Sequence, residues 1–323
     1  MGTKDELLWY LRRGEGCWVS GEDLSGKMGI SRSAVWKQIS RLRQEGYAIR
    51  SSSKKGYLFL GVPEMLLPAE IREGIGTEIF GRRDIAYFGE LDSTNRKAKE
   101  MAAEGAPEGT LVVAEEQSRG RGRIGRSWYS PAREGIYMSL ILRPKLPPNE
   151  APKITLVTGV SVAEALLAVT PLQPAIKWPN DILVNGRKIC GILTETSTEM
   201  DAIDFVVVGV GMNVNTPEFP DELNEIGTSI YLETGKAFDR VTLLQEFLHQ
   251  FEQLYFTFLK SGFESIGKRW GELSILMGKD VTVQMIDRSC SGRVLKLDRD
   301  GALIIRSENG ELEKIYSGDI HIH

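Results

Sequence analysis

Positive charge and small residues are concentrated in one short stretch of the chain, residues 117–131. Four arginines and three glycines fall within the eight residues 119–126. Glycine allows a backbone to approach a ligand closely, and the arginine guanidinium pairs with carboxylate or phosphate. The stretch therefore predicts a loop that closes over an anionic ligand. The alternative is a solvated Arg-Gly tract that binds RNA, but apolar runs at 111–114 and 136–142 flank this stretch.

Further polar motifs surround this loop in the sequence. Asp-Ser-Thr-Asn at 92–95 comes before it, at the start of a predicted helix, where hydroxyl and backbone N–H groups can face a small polar ligand. Lys-Trp-Pro-Asn-Asp at 177–181 comes after it, followed by Gly-Arg-Lys at 186–188 and Gly-Val-Gly-Met-Asn at 209–213. We interpret the last motif as a strand whose glycines let a ligand lie against the backbone. Simple N-capping by Ser93 and a solvated charge at Lys188 are the alternatives.

The predicted elements place these motifs at the ends of strands and helices. Apolar runs predict buried strands at 85–88 and 205–210, and Asn185-Gly186 predicts a two-residue hairpin turn before a return strand at 189–194. Helices are predicted at 95–104, 152–169 and 241–260, the last with a core-facing apolar stripe. Cys190 is expected to be a small buried residue, because its neighbourhood offers no His or second Cys.

The motifs resemble those of biotin protein ligases, in the order and at the spacing of that family. Together with the N-terminal segment, they resemble the bifunctional form, which joins a biotin ligase to a repressor of the biotin operon. The resemblance implies that ATP and biotin give biotinyl-5′-AMP, and that a lysine of a biotin carboxyl carrier protein domain then receives the biotin. Mg²⁺ is expected to bridge the ATP phosphates, with metal ligands that the sequence does not name.

The resemblance also implies site residues. Arg123 and Lys188 are expected to be catalytic, because they place positive charge where carboxylate and phosphate meet. The expected biotin-binding residues are Ser93, Thr94, Asn95, Gln117, Gly120, Arg121, Arg123, Lys188 and Gly191. The expected ATP- or adenylate-binding residues are Arg123, Arg126, Trp128, Asn180, Asn213 and Asp319. Trp128 is expected to stack on adenine, with a buried core tryptophan as the alternative.

The first sixty residues predict a winged helix-turn-helix. Ser20 and Ser31 are placed to cap two helices separated by Gly29, and strands at 47–49 and 57–60 enclose a basic tip. Residues 1–60 carry 11 basic and 6 acidic residues, although the whole chain has a net charge of −4. This distribution predicts DNA binding by the head alone; a protein-interaction or vestigial module is the alternative. The expected DNA contacts are Ser31, Arg32, Ser33, Trp36, Lys37, Arg41, Lys54 and Lys55.

The length of 323 residues suggests about two or three domains. We predict a DNA-binding domain at 1–62, a biotin- and ATP-binding domain at 63–272 and a C-terminal domain at 273–323. The fold class is α+β: the winged head, a central mixed sheet with helices on one face that resembles class II synthetase-like ligases, and a small SH3-like β-barrel. We expect a cytoplasmic protein without a membrane partner, because no signal peptide or apolar run of about 20 residues was found.

Partners and rival functions follow from the same resemblance. Biotinyl-AMP is expected to order residues 119–127, and the chain then to form a homodimer through a strand edge at 191–196 and to bind operator DNA of biotin synthesis genes. Three alternatives remain open. The chain could be a non-catalytic biotin-sensing winged-helix repressor, a lipoate or octanoate transferase, or a ligase whose head no longer binds DNA.

Overall fold

The computed structural model describes residues 2–14, 16–199, 202–285 and 287–323. Contacts divide the chain into two compact units, Met1–Met65 and Leu66–His323. The boundary lies three residues after the predicted one, and the second unit contains residues 66–272 of the predicted second domain and all of the predicted third domain. The finer three-domain division therefore stays a prediction.

The first unit is a winged helix-turn-helix, as predicted. Its elements are α1 (Thr3–Arg13), β1 (Trp18–Val19), α2 (Gly21–Met28), α3 (Arg32–Gln44), β2 (Ala48–Ser52) and β3 (Gly56–Gly61). The Ser20 hydroxyl accepts a hydrogen bond from the Glu22 N–H, and Ser31 accepts one from Ala34. Gly29 adopts the left-handed conformation that ends α2. The antiparallel sheet has the order β1-β3-β2; α1 and β1 were not predicted.

The second unit is built on a seven-stranded mixed sheet of order β4-β5-β6-β10-β9-β8-β7. Its strands are β4 (Ile85–Phe88), β5 (Leu111–Ala114), β6 (Gly135–Leu142), β7 (Ala175–Lys177), β8 (Asp181–Val184), β9 (Arg187–Glu199) and β10 (Ala202–Asn213). Its helices are α4 (Pro68–Arg72), α5 (Thr94–Ala103), α6 (Ala151–Val169), α7 (Ile230–Thr234), α8 (Arg240–Ser261) and α9 (Glu264–Leu273). The β4–β5 pair is parallel and the other pairs are antiparallel.

Helices cover both faces of this sheet, so the prediction of helices on one face was wrong. On one face, α6 and α8 pack against a large apolar cluster that includes Val113 and Val208. On the other face, α5 packs through Ala98 and Ala102 onto a separate small cluster. Helix α5 buries only these two small apolar side chains. Its sequence therefore lacks the row of large apolar residues that would predict a helix packed on a sheet.

Helix α6 accounts for the most apolar stretch of the chain. The segment Pro148–Val169 is long and apolar enough to cross a bilayer by length and composition, but 67% of its most apolar window lies buried inside the protein. It packs against α8 and the sheet, and Val157, Val160 and Ala163 are fully buried. Its composition is therefore explained by its place in the core.

The C-terminal part of the second unit is a five-stranded antiparallel sheet, which confirms the predicted small β domain. Its strands are β11 (Asp280–Gln284), β12 (Ser289–Leu297), β13 (Leu303–Ser307), β14 (Leu312–Ile315) and β15 (Asp319–Ile322), in the order β14-β13-β12-β11-β15. Gly301 and Gly310 have positive φ in the two predicted hairpin turns. Strand β15 was not predicted, and it places Asp319 beside the cavity described next.

Candidate active site

One cavity of about 420 Å³ lies in the second unit between the arginine loop, strands β8 to β10 and the start of β15. Its volume is in the usual range for a small-molecule site. The predicted site residues that line it are Ser93, Thr94, Asn95, Gln117, Arg121, Arg123, Arg126, Trp128, Asn180, Lys188, Gly191, Asn213 and Asp319. Gly120 lies in the loop but outside the lining. The fold therefore brings together motifs that are far apart in the sequence.

One end of the cavity is a network of uncharged polar groups. Gln117 Oε1 accepts hydrogen bonds from the Thr94 N–H at 2.9 Å and from the Thr94 hydroxyl at 3.2 Å. Gln117 Nε2 donates to Ser130 Oγ at 2.9 Å, and the Ser139 hydroxyl donates to Asn95 Oδ1 at 2.6 Å. Within the described residues, Ser93 begins α5 without a side-chain capping bond. Simple capping therefore does not account for Ser93.

Sequence reasoning missed Glu195, whose carboxylate accepts a hydrogen bond from the amide nitrogen of Asn95. Asn95 Nδ2 donates to Glu195 Oε2 at 3.0 Å, and Lys99 Nζ donates to Oε1 of the same carboxylate at 3.0 Å. Burial alone would raise the pKa of Glu195. The hydrogen bonds from Asn95 and Lys99 and the charges of Lys99 and Arg121 outweigh burial and hold that pKa below its usual value. The only sequence signal is the position of Glu195 on the strand that begins at Arg187.

The arginine loop folds back on itself as a tight hairpin. The Trp128 N–H donates to the Gly120 carbonyl at 2.9 Å, and the Gly122 N–H donates to the Arg126 carbonyl at 2.7 Å. A Cβ on Gly120 would lie 2.4 Å from the Trp128 carbonyl oxygen, so this position requires glycine. The ordering of this loop by a ligand stays a prediction.

The tip of the loop is tied to two other parts of the second unit. Arg123 Nη1 donates to Asn180 Oδ1 at 3.0 Å. Arg126 forms an ion pair with Asp319 of β15. Between them, Ile124 is 74% exposed and has a φ of 53°, a conformation that β-branched residues rarely adopt. Both predicted phosphate-binding arginines are therefore already engaged with polar side chains of the cavity wall.

Lys188 lies in the cavity wall rather than in solvent. Its Nζ is 2.7 Å from Asp181 Oδ1 and 5.2 Å from the centroid of the Trp128 ring. Its backbone N–H donates to the Ile226 carbonyl at 2.7 Å, and its carbonyl accepts from the Thr228 N–H at 2.9 Å. The two backbone contacts hold the main chain of Lys188 in place. The ion pair with Asp181 and the 32% exposure of the Lys188 side chain argue against a freely solvated charge.

The Trp128 indole lies against two of the strand glycines, Gly191 and Gly211. A Cβ on Gly211 would lie 2.3 Å from Trp128 Nε1, and one on Gly191 would lie 2.9 Å from Trp128 Cζ3. These two glycines therefore make room for the indole. Gly209 and Gly211 also line the cavity, so a ligand that lies against this strand stays a prediction. Trp128 is half-buried and lines the cavity, so it is not a core residue. Among the described residues, its Nε1 has no hydrogen-bond partner.

The charge of the lining favours an anionic ligand. Among the described lining residues, five are arginine or lysine and two carry a carboxylate: Arg121, Arg123, Arg126, Lys177 and Lys188, against Asp181 and Asp319. Cys190 is fully buried nearby, and burial raises the pKa of its thiol, as a small core residue requires. In the described ranges, no group of three His, Cys, Asp or Glu residues could hold a metal ion.

In the first unit, the expected DNA contacts lie at the surface of α3 and of the wing. Trp36 is 58% exposed, and Arg32, Lys37 and Arg41 are exposed along the same helix. The Ser31 hydroxyl caps α3 and contacts the Ser33 hydroxyl at 2.9 Å. Lys54 and Lys55 are exposed in the turn between β2 and β3. These positions fit a recognition helix and a wing, and their DNA contacts stay a prediction.

Fold and site together define a protein with a winged helix-turn-helix unit and an α+β unit that holds a cationic, ligand-sized cavity. Residues 3–58 match an HTH domain, residues 87–213 match the biotin/lipoate A/B protein ligase family, and residues 276–322 match the biotin protein ligase C terminal domain. The chain belongs to the biotin protein ligase family.

Relatives match along almost the whole chain. The chain is 41% identical over 306 residues to the bifunctional ligase/repressor BirA of Bacillus spizizenii, which covers 94% of both proteins. It is 30% identical over 320 residues to the bifunctional ligase/repressor BirA of Escherichia coli, covering 98% of this chain and 96% of that protein. The biotin protein ligase from Aquifex aeolicus, solved in complex with biotin and ATP, superposes with a TM-score of 0.66 at 31% identity, covering 75% of this chain and 99% of that one.

Proposed function

We propose that the protein is an ATP-dependent biotin protein ligase that also acts as a ligand-dependent repressor of biotin synthesis genes. One observation carries the ligase half: Arg123 and Lys188 line the same cavity as the polar network around Gln117. Such a cavity can hold an uncharged polar head at one end and an anionic group at the other. The match to bifunctional ligase/repressors over 94% of the chain supports the combination.

In the first half-reaction, a carboxylate oxygen of biotin forms a bond to the α-phosphorus of ATP, and pyrophosphate leaves with the electrons of the broken bond. The two reactants are both anions and repel each other. Arg123 and Lys188 offset this repulsion, and the cavity positions the two groups. In this proposal, Thr94, Asn95 and Gln117 hold the biotin ring system.

The nucleotide would occupy the other end of the cavity. Trp128 would offer its ring face to adenine, with Arg126, Asn180, Asn213 and Asp319 around the nucleotide. A Mg²⁺ ion would enter with the nucleotide, because the two carboxylates among the described lining residues, Asp181 and Asp319, already pair with Lys188 and Arg126. Mg²⁺ commonly keeps several waters and binds through phosphates with one or two carboxylates. The residues present fit such a shared site.

In the second half-reaction, a lysine of a biotin carboxyl carrier protein domain attacks the acyl carbon of biotinyl-5′-AMP, and AMP leaves. We place both half-reactions in the cytoplasm. The experiment is incubation of the protein with labelled biotin, ATP and a carrier domain, read by transfer of label. Omission of ATP should abolish transfer, and replacement of biotin by lipoate should give none. Label that stays off the carrier while biotin binds would favour the non-catalytic sensor, and transfer of lipoate would favour the transferase.

The repressor half rests on the first unit and on one strand edge. Strand β9 pairs with β10 along residues 190–199, but its pairing with β8 covers only residues 187–191. In the described part of the chain, the remainder of that side of β9 has no strand partner, and a second copy could pair there. We propose that biotinyl-AMP orders the arginine loop, that a homodimer forms at this edge, and that the dimer binds operator DNA. Sedimentation with and without biotin plus ATP, run beside a mobility shift on the DNA upstream of biotin synthesis genes, tests this sequence of events.

A further inference from the structure

A second, smaller cavity of about 170 Å³ adjoins the first one. The two cavities share five lining residues: Arg123, Trp178, Pro179, Asn180 and Ile192. The hydrogen bond from Arg123 to Asn180, at 3.0 Å, lies between residues common to both. The two cavities therefore adjoin at these shared residues, and the contact between Arg123 and Asn180 is one of the side-chain contacts at that boundary.

The walls of the smaller cavity combine apolar and uncharged polar groups, and its small volume suits a slender occupant. Its own lining residues are Pro152, Thr155, Leu156, Thr194, Gly301 and Tyr316. The hydroxyls of Thr155 and Thr194 satisfy each other at 2.8 Å. Of the described lining residues, Arg123 alone carries a charge. The volume is below the usual range of about 300–1,000 Å³ for small-molecule sites, so the cavity fits one side chain better than a whole ligand.

We propose that the smaller cavity is the channel through which the acceptor lysine reaches the acyl-adenylate in the larger cavity. This inference rests on the proposed ligase function and adds the route of the second substrate to it. Once biotinyl-AMP fills the larger cavity, the lysine needs a separate approach to the carbonyl group between biotin and phosphate. Arg123 is proposed to lie beside that carbonyl group, and it is one of the five residues that line both cavities. The flexible four-carbon stem of lysine would lie along Pro152, Leu156 and the ring of Tyr316.

The charge of the channel favours the reactive form of the amine. Lysine attacks as the neutral amine, and a neighbouring positive charge disfavours the protonated form. The described lining residues offer Arg123 and no carboxylate that would hold an ammonium ion. In the transfer step, the lysine nitrogen forms a bond to the acyl carbon and the bond from that carbon to the AMP oxygen breaks. The nitrogen gives up one proton to solvent, and AMP leaves with the bonding electrons.

An exit route for pyrophosphate is the other use that the cavity could have. A route for a multiply charged anion requires several cations or backbone N–H groups. One shared arginine among the described lining residues provides too little of this. A lysine route and a pyrophosphate route affect different half-reactions, so one set of variants separates them.

The test narrows the channel by Thr155→Phe in the full-length protein. Thr155 lines the smaller cavity and is absent from the lining of the larger one. Two controls are matched to it: Thr155→Val keeps the side-chain shape, and Thr257→Phe makes the same change at an exposed position on α8. Each variant is assayed for biotin-dependent ATP–pyrophosphate exchange. Preformed enzyme-bound biotinyl-AMP is then discharged with carrier domain, with n-butylamine as a lysine side-chain mimic, and with hydroxylamine as a compact nucleophile.

We expect Thr155→Phe to keep exchange and hydroxylamine discharge within about twofold of wild type. Discharge by the carrier domain and by n-butylamine should both fall by about tenfold to a hundredfold, the range that a misplacement of about 1 Å can cost. Both controls should behave as wild type. Normal n-butylamine discharge with a slow carrier reaction would show a docking defect and overturn the proposal. Slow exchange with normal discharge would assign the channel to pyrophosphate and also overturn it.

A second variant covers the case in which Thr155→Phe lowers every activity through misfolding. Thr194→Phe narrows the same cavity from strand β9, where an aromatic side chain is well tolerated. The same selective loss of n-butylamine discharge is expected, and unimpaired discharge would refute the channel. If wild-type protein fails to transfer biotin to any carrier domain while it forms the adenylate, the proposed ligase function fails instead.

Discussion

Replacement of Lys188 by methionine removes one positive charge from the cavity wall and keeps an unbranched side chain. The charge should matter more for the reaction than for folding. The Lys188 side chain is 32% exposed and pairs with Asp181 near the surface of the cavity. Exposed ion pairs contribute about 0–1 kcal/mol to stability, and this partly exposed pair should contribute somewhat more, so we expect Lys188→Met to lower the melting temperature by only a few degrees.

The expected loss of rate follows from the distance at which Lys188 would act. Two unit charges about 4 Å apart interact by about 4 kcal/mol at an effective dielectric of about 20. Partial exposure and the neighbouring Asp181 carboxylate reduce this value. We therefore expect about 3 kcal/mol less stabilisation of the transition state, which is a decrease of about 10²-fold in the rate of adenylate formation.

Biotin-dependent ATP–pyrophosphate exchange measures this step without the carrier domain. The matched control is Lys236→Met, which removes one charge from an exposed lysine after α7 and should leave the exchange rate unchanged. An exchange rate of Lys188→Met within about twofold of wild type would refute the role given to this lysine. A large decrease in both variants would show a general effect of net charge instead.

Three further predictions concern other parts of the site and the head. Gly211→Ala should push the Trp128 indole out of place, because the new Cβ would lie 2.3 Å from its Nε1. We expect nucleotide binding, measured by calorimetry, to weaken by about 1–3 kcal/mol. The control Gly271→Ala, at an open helical position, should have no effect. Glu195→Gln should raise the KM for biotin by about tenfold, because hydrogen bonds to charged groups contribute about 1.5–3 kcal/mol, and leave the KM for ATP unchanged. Since the folded pKa of Glu195 is lowered, its stabilisation is present above the unfolded value of about 4.3 and is lost as the pH falls through the folded value, so wild-type and variant melting temperatures should converge in acid. Arg32→Ala should reduce the slope of log K against log salt by about one in a DNA titration, and an unchanged slope would place this residue away from the phosphates.

Local signals in the sequence predicted the elements that depend on few neighbours. Ser31 caps α3 and Gly29 ends α2 because capping and left-handed backbone depend on residues close by in the chain. Asn185 and Gly186 have positive φ in the turn between β8 and β9, as that dipeptide requires in a two-residue hairpin. Motifs with strong local preferences were therefore enough to predict where these helices and strands end.

Contacts between segments that are far apart in the chain could not be predicted from such local signals. Glu195 binds the Asn95 amide because β9 passes beside α5, which lies about one hundred residues earlier in the chain. The residues next to Glu195 in the sequence give no indication of this contact. The contact of Gly211 with Trp128 was missed for the same reason. A glycine in a strand indicates that something approaches the backbone, but only the fold shows that Trp128 is the group that does so.

The ion pair between Arg126 and Asp319 joins residues 193 positions apart. Asp319 and His321, both from the last five residues, also line the larger cavity. Chains are synthesised from the N-terminus, and domains fold as their residues emerge. A nascent chain on the ribosome would therefore have a complete first unit well before it had a complete cavity, so its ability to hold a nucleotide would appear only after most of the chain has been synthesised.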